Sequence, residues 1–209
     1  MLTLLILLAL GILLGTVLMQ LFKKTAPAPA GPAADLANLM VSDARAGDAL
    51  SISGAGENYA DLDFTVDRVT RYDAGTRRWF ELGGPYLERR VAVRVGGDEE
   101  VEVSLHSDAR KVTIEDLGLA EEDLAEMDQR QNTADSFEFD GKVWLYRLSR
   151  EVQSTRDDQA SATGFYYWEF QEQNGKGSIG IRKAEGEPFA VTRYTGIPAG
   201  DVTVYRGRT

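Results

Sequence analysis

The sequence contains no cysteine and only one histidine, His106, among its 209 residues. The absence of cysteine excludes disulfides, thiolate metal sites, a cysteine nucleophile and lipidation of an N-terminal cysteine. A single histidine excludes a metal site with several histidines, and any serine–histidine–aspartate triad away from His106. We therefore expect neither a cofactor nor a metal.

Basic residues are also scarce, since 23 lysines and arginines face 33 aspartates and glutamates, for a formal net charge of −10. Lys23 and Lys24 flank an apolar N-terminal segment, so the rest of the chain carries 21 basic and 33 acidic residues, or −12. Phosphate backbones and anionic lipid headgroups repel such a domain, because both bind basic surfaces. We expect no nucleic-acid partner.

Residues 2–22 form the one long hydrophobic run, without any charged side chain. At 1.5 Å per residue a helix of this length reaches about 30 Å, the thickness of a bilayer core. Residues 1–24 are therefore predicted to be a transmembrane anchor. A cleaved signal peptide is the alternative, because residues 26–30 resemble a small-residue cleavage context. The lack of basic residues before the run, its length and the lysine pair after it favour the anchor.

The lysine pair after the anchor also predicts its orientation. By the positive-inside rule, Lys23 and Lys24 keep the following domain in the cytoplasm, here at a bacterial inner (cell) membrane. An extracytoplasmic domain is the alternative, and it requires that two charges do not decide the orientation.

Gly11 and Gly15 form a G-x-x-x-G spacing that allows close helix packing in the membrane and hence a homodimer. Such a pair also occurs often by chance.

Residues 25–46 are predicted to be an Ala/Pro linker followed by a short helix, in which Leu36, Leu39 and Met40 have helical spacing. From residue 47 to 209 the pattern changes to short alternating segments rich in β-branched and aromatic residues, which predict a mainly β domain. The predicted strands are 49–53, 62–72, 78–82, 90–95, 100–105, 137–139, 143–151, 165–171, 178–183, 189–194 and 202–205.

One long helical pattern interrupts the strands, over residues 114–131. Thr113 is the predicted cap, while Leu124 and Met127 share an apolar face opposite a row of acidic residues. Gly118 can split this segment into a turn and a helix, so the domain is expected to contain one or two short helices.

An internal repeat is indicated by matching strands. Residues 91–94 (Val-Ala-Val-Arg) match 179–182 (Ile-Gly-Ile-Arg), and Trp79 matches Trp168 at nearly the same offset. The sequence therefore predicts two similar antiparallel β units, 47–107 and 133–207, packed as a sandwich or a barrel. Chance alternation of β residues is the alternative explanation of these matches.

The soluble domain resembles bacterial domain-of-unknown-function family 4178. The resemblance rests on residues 165–170 (Phe-Tyr-Tyr-Trp-Glu-Phe), 179–181 (Ile-Gly-Ile) and 196–205 (Gly-Ile-Pro-Ala-Gly-Asp-Val-Thr-Val-Tyr), with 47–48 (Gly-Asp) and 79–82 (Trp-Phe-Glu-Leu) in the first half. It implies similarity to proteins encoded beside phage-shock-type membrane-stress components, polyamine-related enzymes and small membrane proteins. It transfers no catalytic residue to this chain.

Few residues point to chemistry. His106 follows a strand and precedes Ser107 and Asp108, so a small acid–base cluster is one interpretation, and a turn histidine is the favoured one. On a strand, Tyr166 and Trp168 face one side of the aromatic run, where they either fill the core or form an exposed patch for a partner protein. The acidic runs 98–100 and 121–123 lack the ligand spacing of a calcium loop and are expected to be solvated.

Two functions from different classes remain. The first is a membrane-tethered, non-enzymatic β module that binds a partner protein, in bacterial membrane-stress or envelope maintenance. The alternative is a small-molecule sensor, or an enzyme working through carboxylates, with a pocket between the two β units. An exposed apolar patch over a filled interface favours the first, and a deep pocket lined by convergent carboxylates and His106 favours the second.

Overall fold

The computed structural model describes residues 39–97 and 100–207. The predicted anchor, with Gly11 and Gly15, and nearly all of the Ala/Pro linker lie outside the described residues. No helix in the described ranges is long and apolar enough to cross a membrane.

The described residues form twelve strands, one α-helix and three short 3-10 helices. The strands are β1 (Ala49–Ile52), β2 (Leu62–Thr65), β3 (Arg68–Asp73), β4 (Arg78–Tyr86), β5 (Arg89–Gly96), β6 (Glu102–His106), β7 (Ser136–Phe139), β8 (Lys142–Arg156), β9 (Thr163–Glu172), β10 (Gly177–Lys183), β11 (Ala190–Ile197) and β12 (Val202–Tyr205). The α-helix is α1 (Glu121–Arg130), and the 3-10 helices are Val41–Asp43, Glu57–Tyr59 and Ala199–Asp201.

Eight strands close into an antiparallel barrel in the order β3-β4-β5-β6-β11-β10-β9-β8, and β8 returns to pair with β3. The barrel consists of two four-stranded meanders, β3–β6 and β8–β11, that meet at two seams. One seam pairs Leu105 of β6 with Thr195 of β11, and the other pairs Thr70 of β3 with Arg156 of β8. Strand β7 lies outside the barrel and pairs only with β8 among the described strands.

A small sheet, in the order β12-β1-β2, covers the outer surface of the first meander. Its apolar residues, such as Leu50, Ile52 and Phe64, belong to the same buried cluster as Val93 of β5 and Leu105 of β6. Because side chains alternate between the two faces of a strand, the valines of β5 point out of the barrel into this cluster.

Helix α1 and the loop before it cover the second meander. Leu124 and Met127 of α1 pack in one buried cluster with Trp144, Trp168 and Phe170. The indole Nε1 of Trp168 also donates a hydrogen bond to the carbonyl oxygen of Leu124 at 3.1 Å. Both meanders are therefore apolar on the outside and covered there, while the lumen contains polar residues and a third buried cluster that includes Trp79, Val152 and Tyr167.

The structure confirms the mainly β class and resolves the alternative of sandwich or barrel in favour of a closed barrel. Strand pairing in the structure nevertheless crosses the boundary between the two predicted units. Strand β12, at the end of the second unit, pairs with β1 of the first unit, so Val202 lies opposite Ile52. The predicted strand 62–72 is two strands, because the chain leaves the small sheet at Thr65 and enters the barrel at Arg68.

The predicted helix 114–131 is shorter than expected. Thr113 and Asp116 do form the predicted cap, with the Asp116 carboxylate accepting from the Thr113 amide at 2.9 Å. The segment turns at Gly118, whose φ of +72° belongs to the left-handed region that favours glycine. Helix α1 then begins at Glu121, where Asp123 accepts from the amide of Ala120.

Candidate ligand-binding site

A cavity of about 470 Å³ opens at one end of the barrel lumen. We call it the arginine chamber, because Arg68, Arg90, Arg156 and Arg182 line it. All eight barrel strands contribute to its wall. Its other lining residues are Thr70, Tyr72, Trp79, Glu81, Gly83, Val91, Ala92, His106, Ser154, Phe165, Tyr167, Gly180, Thr192 and Tyr194.

The inner end of the chamber is aromatic. Tyr72 and Trp79 stack with ring centroids 5.1 Å apart, and Tyr167 lies 5.6 Å from the Trp79 ring. Tyr72, Trp79, Tyr167 and Tyr194 are each less than 9% exposed. Gly180 makes room for this layer, because a Cβ atom there would come within 2.4 Å of the Tyr167 hydroxyl.

Glu81 is the one acidic side chain in the wall of the arginine chamber. Its carboxylate accepts hydrogen bonds from the hydroxyls of Tyr72 at 2.8 Å and Tyr194 at 2.6 Å. Burial, followed by the charge of Glu81, raises the pKa of both phenols well above their usual range. Both hydroxyls therefore keep their protons and act as donors to Glu81.

Arg94 lies at the centre of the lumen. Its guanidinium donates to the Tyr167 hydroxyl at 3.0 Å and to Glu169 at 3.2 Å, and it lies 4.8 Å from the centre of the Trp79 ring. Burial alone would lower the pKa of Arg94, but the neighbouring Tyr167, Glu169 and Tyr194 hold it above its usual value. Arg94 is therefore a permanent buried cation.

A second cavity, of about 580 Å³, lies at the opposite end of the lumen. Arg94, Glu169 and Arg77 line it, and Arg77 pairs with Glu169 at 2.9 Å. Trp79 lines both cavities. The layer around Arg94 and Trp79 thus separates two chambers, and only the arginine chamber has a wall from all eight strands.

His106 ends β6 with its side chain on the lumen side. Its ring centroid is 6.0 Å from that of Tyr194, and its Nδ1 lies 2.8 Å from the backbone carbonyl oxygen of Arg193. Because a carbonyl only accepts, Nδ1 carries a proton and donates, and in the neutral ring Nε2 keeps a lone pair. His106 is therefore part of the chamber wall, and its hydrogen bond is made to Arg193 and not to Ser107 or Asp108.

The two residues predicted to contact a partner lie under α1, on the outside of the barrel. Trp168 is 7% exposed. The hydroxyl of half-buried Tyr166 donates to Asp128 of α1 at 2.6 Å, and burial together with this hydrogen bond raises its pKa to about 12. Core packing describes their place in the fold, and binding of a partner there stays a prediction.

Sequence reasoning missed most of the chamber residues. The local pattern does not mark Tyr72, Glu81, Tyr194 or Arg182 as functional, because these residues alternate with apolar ones and so resemble the solvated face of a sheet. Large aromatic residues on that polar face, such as Tyr167 beside Trp168, were the available signal. The described residues contain no group of three acidic or histidine side chains placed to hold a metal ion.

No family model matches the chain, and no curated protein or solved structure matches it either. The resemblance to family 4178 accordingly stays a prediction.

Proposed function

We propose that the protein binds a small organic molecule in the arginine chamber and acts as a ligand-binding module. The observation that carries this proposal is the chamber itself, a concave lumen of about 470 Å³ walled by every strand of a closed barrel. Ligand sites commonly have volumes of about 300 to 1,000 Å³ and combine aromatic walls with a few directed polar groups. The chamber has both, in Tyr72, Trp79 and Tyr167 and in the polar groups of Glu81 and His106.

The architecture of the barrel supports a binding role. Two of its three buried apolar clusters lie on the outside of the barrel, and the third, which includes Trp79, Val152 and Tyr167, lies in the lumen. The polar residues between this third cluster and the open end of the lumen are available for a ligand.

The polar groups of the chamber favour binding over catalysis. The carboxylate of Glu81 is held by two phenols that keep their protons, and His106 donates to a backbone carbonyl. Ser154, which also lines the chamber, donates to the carbonyl oxygen of Thr163. In the described part of the chain no hydroxyl is placed against His106 as a nucleophile would be. We propose a non-enzymatic role on this basis.

The predicted membrane anchor would place this module at a membrane surface. With the domain on the cytoplasmic face of a bacterial inner membrane, the chamber would be accessible to small molecules of the cytoplasm.

Binding of a partner protein, in membrane-stress or envelope maintenance, stays a prediction. The large exposed apolar residues in the described ranges are spread over separate elements, namely Met40, Tyr59, Leu87, Val101 and Tyr205.

The proposal can be tested with the full-length protein in a non-ionic detergent. Trp79 reports on the lumen, since it lines both of its cavities, whereas Trp144 and Trp168 lie in the cluster under α1. A panel of small nitroaromatic acids, amides and amines quenches tryptophan fluorescence on contact. We expect saturable quenching by some members, and we expect it to disappear in Trp79→Phe.

A variant that fills the chamber provides the second readout. Ala92 of β5 lines the chamber, so Ala92→Phe places a ring in the lumen without changing a charge. We expect this variant to abolish saturable quenching of Trp79, while Thr203→Phe on the exposed side of β12 retains it. If no panel member quenches saturably, or if Ala92→Phe binds as the wild type does, the lumen is not a ligand site.

A further inference from the structure

Arginines from four strands converge at the open end of the arginine chamber. Arg68 begins β3, Arg90 lies at the start of β5, Arg156 ends β8 and Arg182 lies near the end of β10. Arg90 and Arg182 are exposed, whereas the aromatic residues of the inner end are buried. In a chain with a net charge of −10, four arginines around one opening form a local concentration of positive charge.

Intramolecular pairing accounts for only two of these arginines. Arg90 forms a bidentate pair with Asp67, at 2.9 and 2.5 Å, and Arg156 pairs with Asp158 at 2.6 Å. In the described ranges no carboxylate pairs with Arg68 or Arg182.

Like charges brought together repel, so an anion at this opening would relieve the repulsion and accept hydrogen bonds from the guanidinium groups. Guanidinium groups match carboxylate and phosphate oxygens in a bidentate geometry. A low-dielectric lumen behind them focuses their field outward through the opening. In the described ranges, the guanidinium groups of Arg68 and Arg182 thus lack a carboxylate or phosphate acceptor.

The inner end of the chamber has the opposite character. Glu81 is acidic, and Tyr72 and Tyr194 direct their hydroxyls to it instead of to the cavity. Phe165, whose ring centroid lies 6.1 Å from that of Tyr72, and Tyr167 offer apolar rings in the wall of the chamber. A ligand that enters would leave its negative charge at the arginines and place an apolar, flat part against these rings.

We infer that the ligand of the arginine chamber is an organic anion, with a carboxylate or phosphate-like group held by Arg68 and Arg182 and a flat apolar body directed inward. This inference rests on the proposed function, because it names the class of ligand for the same chamber. Arg156, which pairs with Asp158 at 2.6 Å, supports the wall of the chamber and does not contact the ligand. Arg90, which Asp67 neutralises, supports the wall and does not contact the ligand.

The test compares three probes that share one ring and differ in charge. These are 4-nitrobenzoate, 4-nitrobenzamide and 4-nitrobenzylamine, measured by quenching of Trp79 in the full-length protein. We expect the anion to bind at least tenfold more tightly than the neutral amide, and the cation most weakly, since each charge-assisted hydrogen bond contributes more than a neutral one.

Variants at the mouth then assign the charge preference to particular residues. Arg68→Gln and Arg182→Gln should each weaken binding of 4-nitrobenzoate about tenfold and leave that of 4-nitrobenzamide nearly unchanged. Arg71→Gln is the matched control. It removes the same charge from the solvent side of β3, where Arg71 is 65% exposed and pairs with Asp157.

The outcomes separate this inference from the proposed function. Equal affinity of the three probes, with quenching still lost in Ala92→Phe, would leave a ligand chamber that does not select anions. Loss of nitrobenzoate affinity in Arg71→Gln as large as in Arg182→Gln would show a general effect of net charge, and would overturn the assignment to the mouth. Absence of saturable quenching by all three probes would contradict the chamber itself.

Discussion

At the scale of single residues, Arg94 is a buried charge that depends on its neighbours for compensation. Its guanidinium is buried, and it is kept there by hydrogen bonds to Tyr167 and Glu169 and by the faces of Trp79 and Tyr194. A buried charge is tolerated when its partners replace water, and removing one partner leaves the other uncompensated. Glu169 keeps part of its compensation through Arg77.

Replacing Arg94 should therefore cost substantial stability. We expect Arg94→Met, which keeps the apolar stem, to lower the free energy of unfolding by about 3 kcal/mol, because Glu169 loses its buried partner. Urea unfolding followed by circular dichroism measures this change. The control Arg71→Met, on the exposed side of β3, should stay within about 0.5 kcal/mol of the wild type. Equal effects of the two substitutions would mean that the central layer does not depend on this cation.

The same residue shows why the sequence predicted the strands but not the site. Val93 and Val95 alternate with Arg94, and this alternation correctly identified β5. Polar residues on one face of a strand usually point to solvent, so the pattern alone does not mark Arg94 as buried. In this barrel the apolar face of β5 packs outward against the small sheet, and the polar face encloses the lumen. Nothing local in the sequence distinguishes these two arrangements.

At the scale of elements, the carboxylate of Asp128 connects helix α1 to the barrel by hydrogen bonds. Oδ1 of Asp128 accepts hydrogen bonds from the hydroxyl of Tyr166 at 2.6 Å, from Nε2 of Gln131 at 3.0 Å, and from the hydroxyl of Ser149. These donors come from β9, from the end of the helix and from β8. The helix has only ten residues, so it depends on such tertiary contacts more than on its own propensity.

Removing this carboxylate should loosen the helix. We expect Asp128→Ala to lower the free energy of unfolding by about 2 kcal/mol, because partly buried hydroxyls lose their acceptor. Trp168, which donates to the backbone of α1, should then show a red-shifted emission from contact with water. Glu122→Ala is the control, since Glu122 is an exposed residue of the same helix and should change neither property. A wild-type emission spectrum in Asp128→Ala would show that the apolar cluster alone holds the helix.

Elements with local signals were predicted well, and their long-range pairing was not. The hairpin of β5 and β6 and the turn between β9 and β10 follow from alternation and glycine placement. The seams β3–β8 and β6–β11 join segments far apart in the sequence, and no local pattern specifies them. The ladders place Ala92 opposite His106 and Gly180 opposite Thr192, so the chain between the paired residues is two residues shorter in the β10–β11 hairpin than in the β5–β6 hairpin.

At the scale of the whole molecule, the buried tyrosines of the lumen make stability depend on alkaline pH. Burial is the first cause of the raised pKa of Tyr72, Tyr167 and Tyr194. An acid whose pKa is raised in the folded state binds its proton more tightly there than in the unfolded state. Its contribution is fully present below the unfolded pKa of about 10 and is lost as the pH rises above that value.

We therefore expect the free energy of unfolding to fall above about pH 10, by about 1.4 kcal/mol per pH unit for each of these tyrosines. Tyrosinate absorbance and circular dichroism, followed together against pH, measure this coupling. Ionisation of the lumen tyrosines should coincide with loss of structure, and the double variant Tyr72→Phe/Tyr194→Phe should show a shallower decline. If every tyrosine ionises near pH 10 in a protein with unchanged circular dichroism, the lumen is not closed to water.

The two seams of the barrel also set the order of events in folding. Six of the eight strand pairings of the barrel join neighbours along the chain. The other two, β3–β8 and β6–β11, close long loops, so their formation costs more conformational entropy. The chamber exists only once both seams have joined. A molecule bound inside it therefore has nothing to recognise during the earlier steps. It should leave the rate of refolding unchanged and slow the rate of unfolding, so that occupancy determines how long each folded copy lasts.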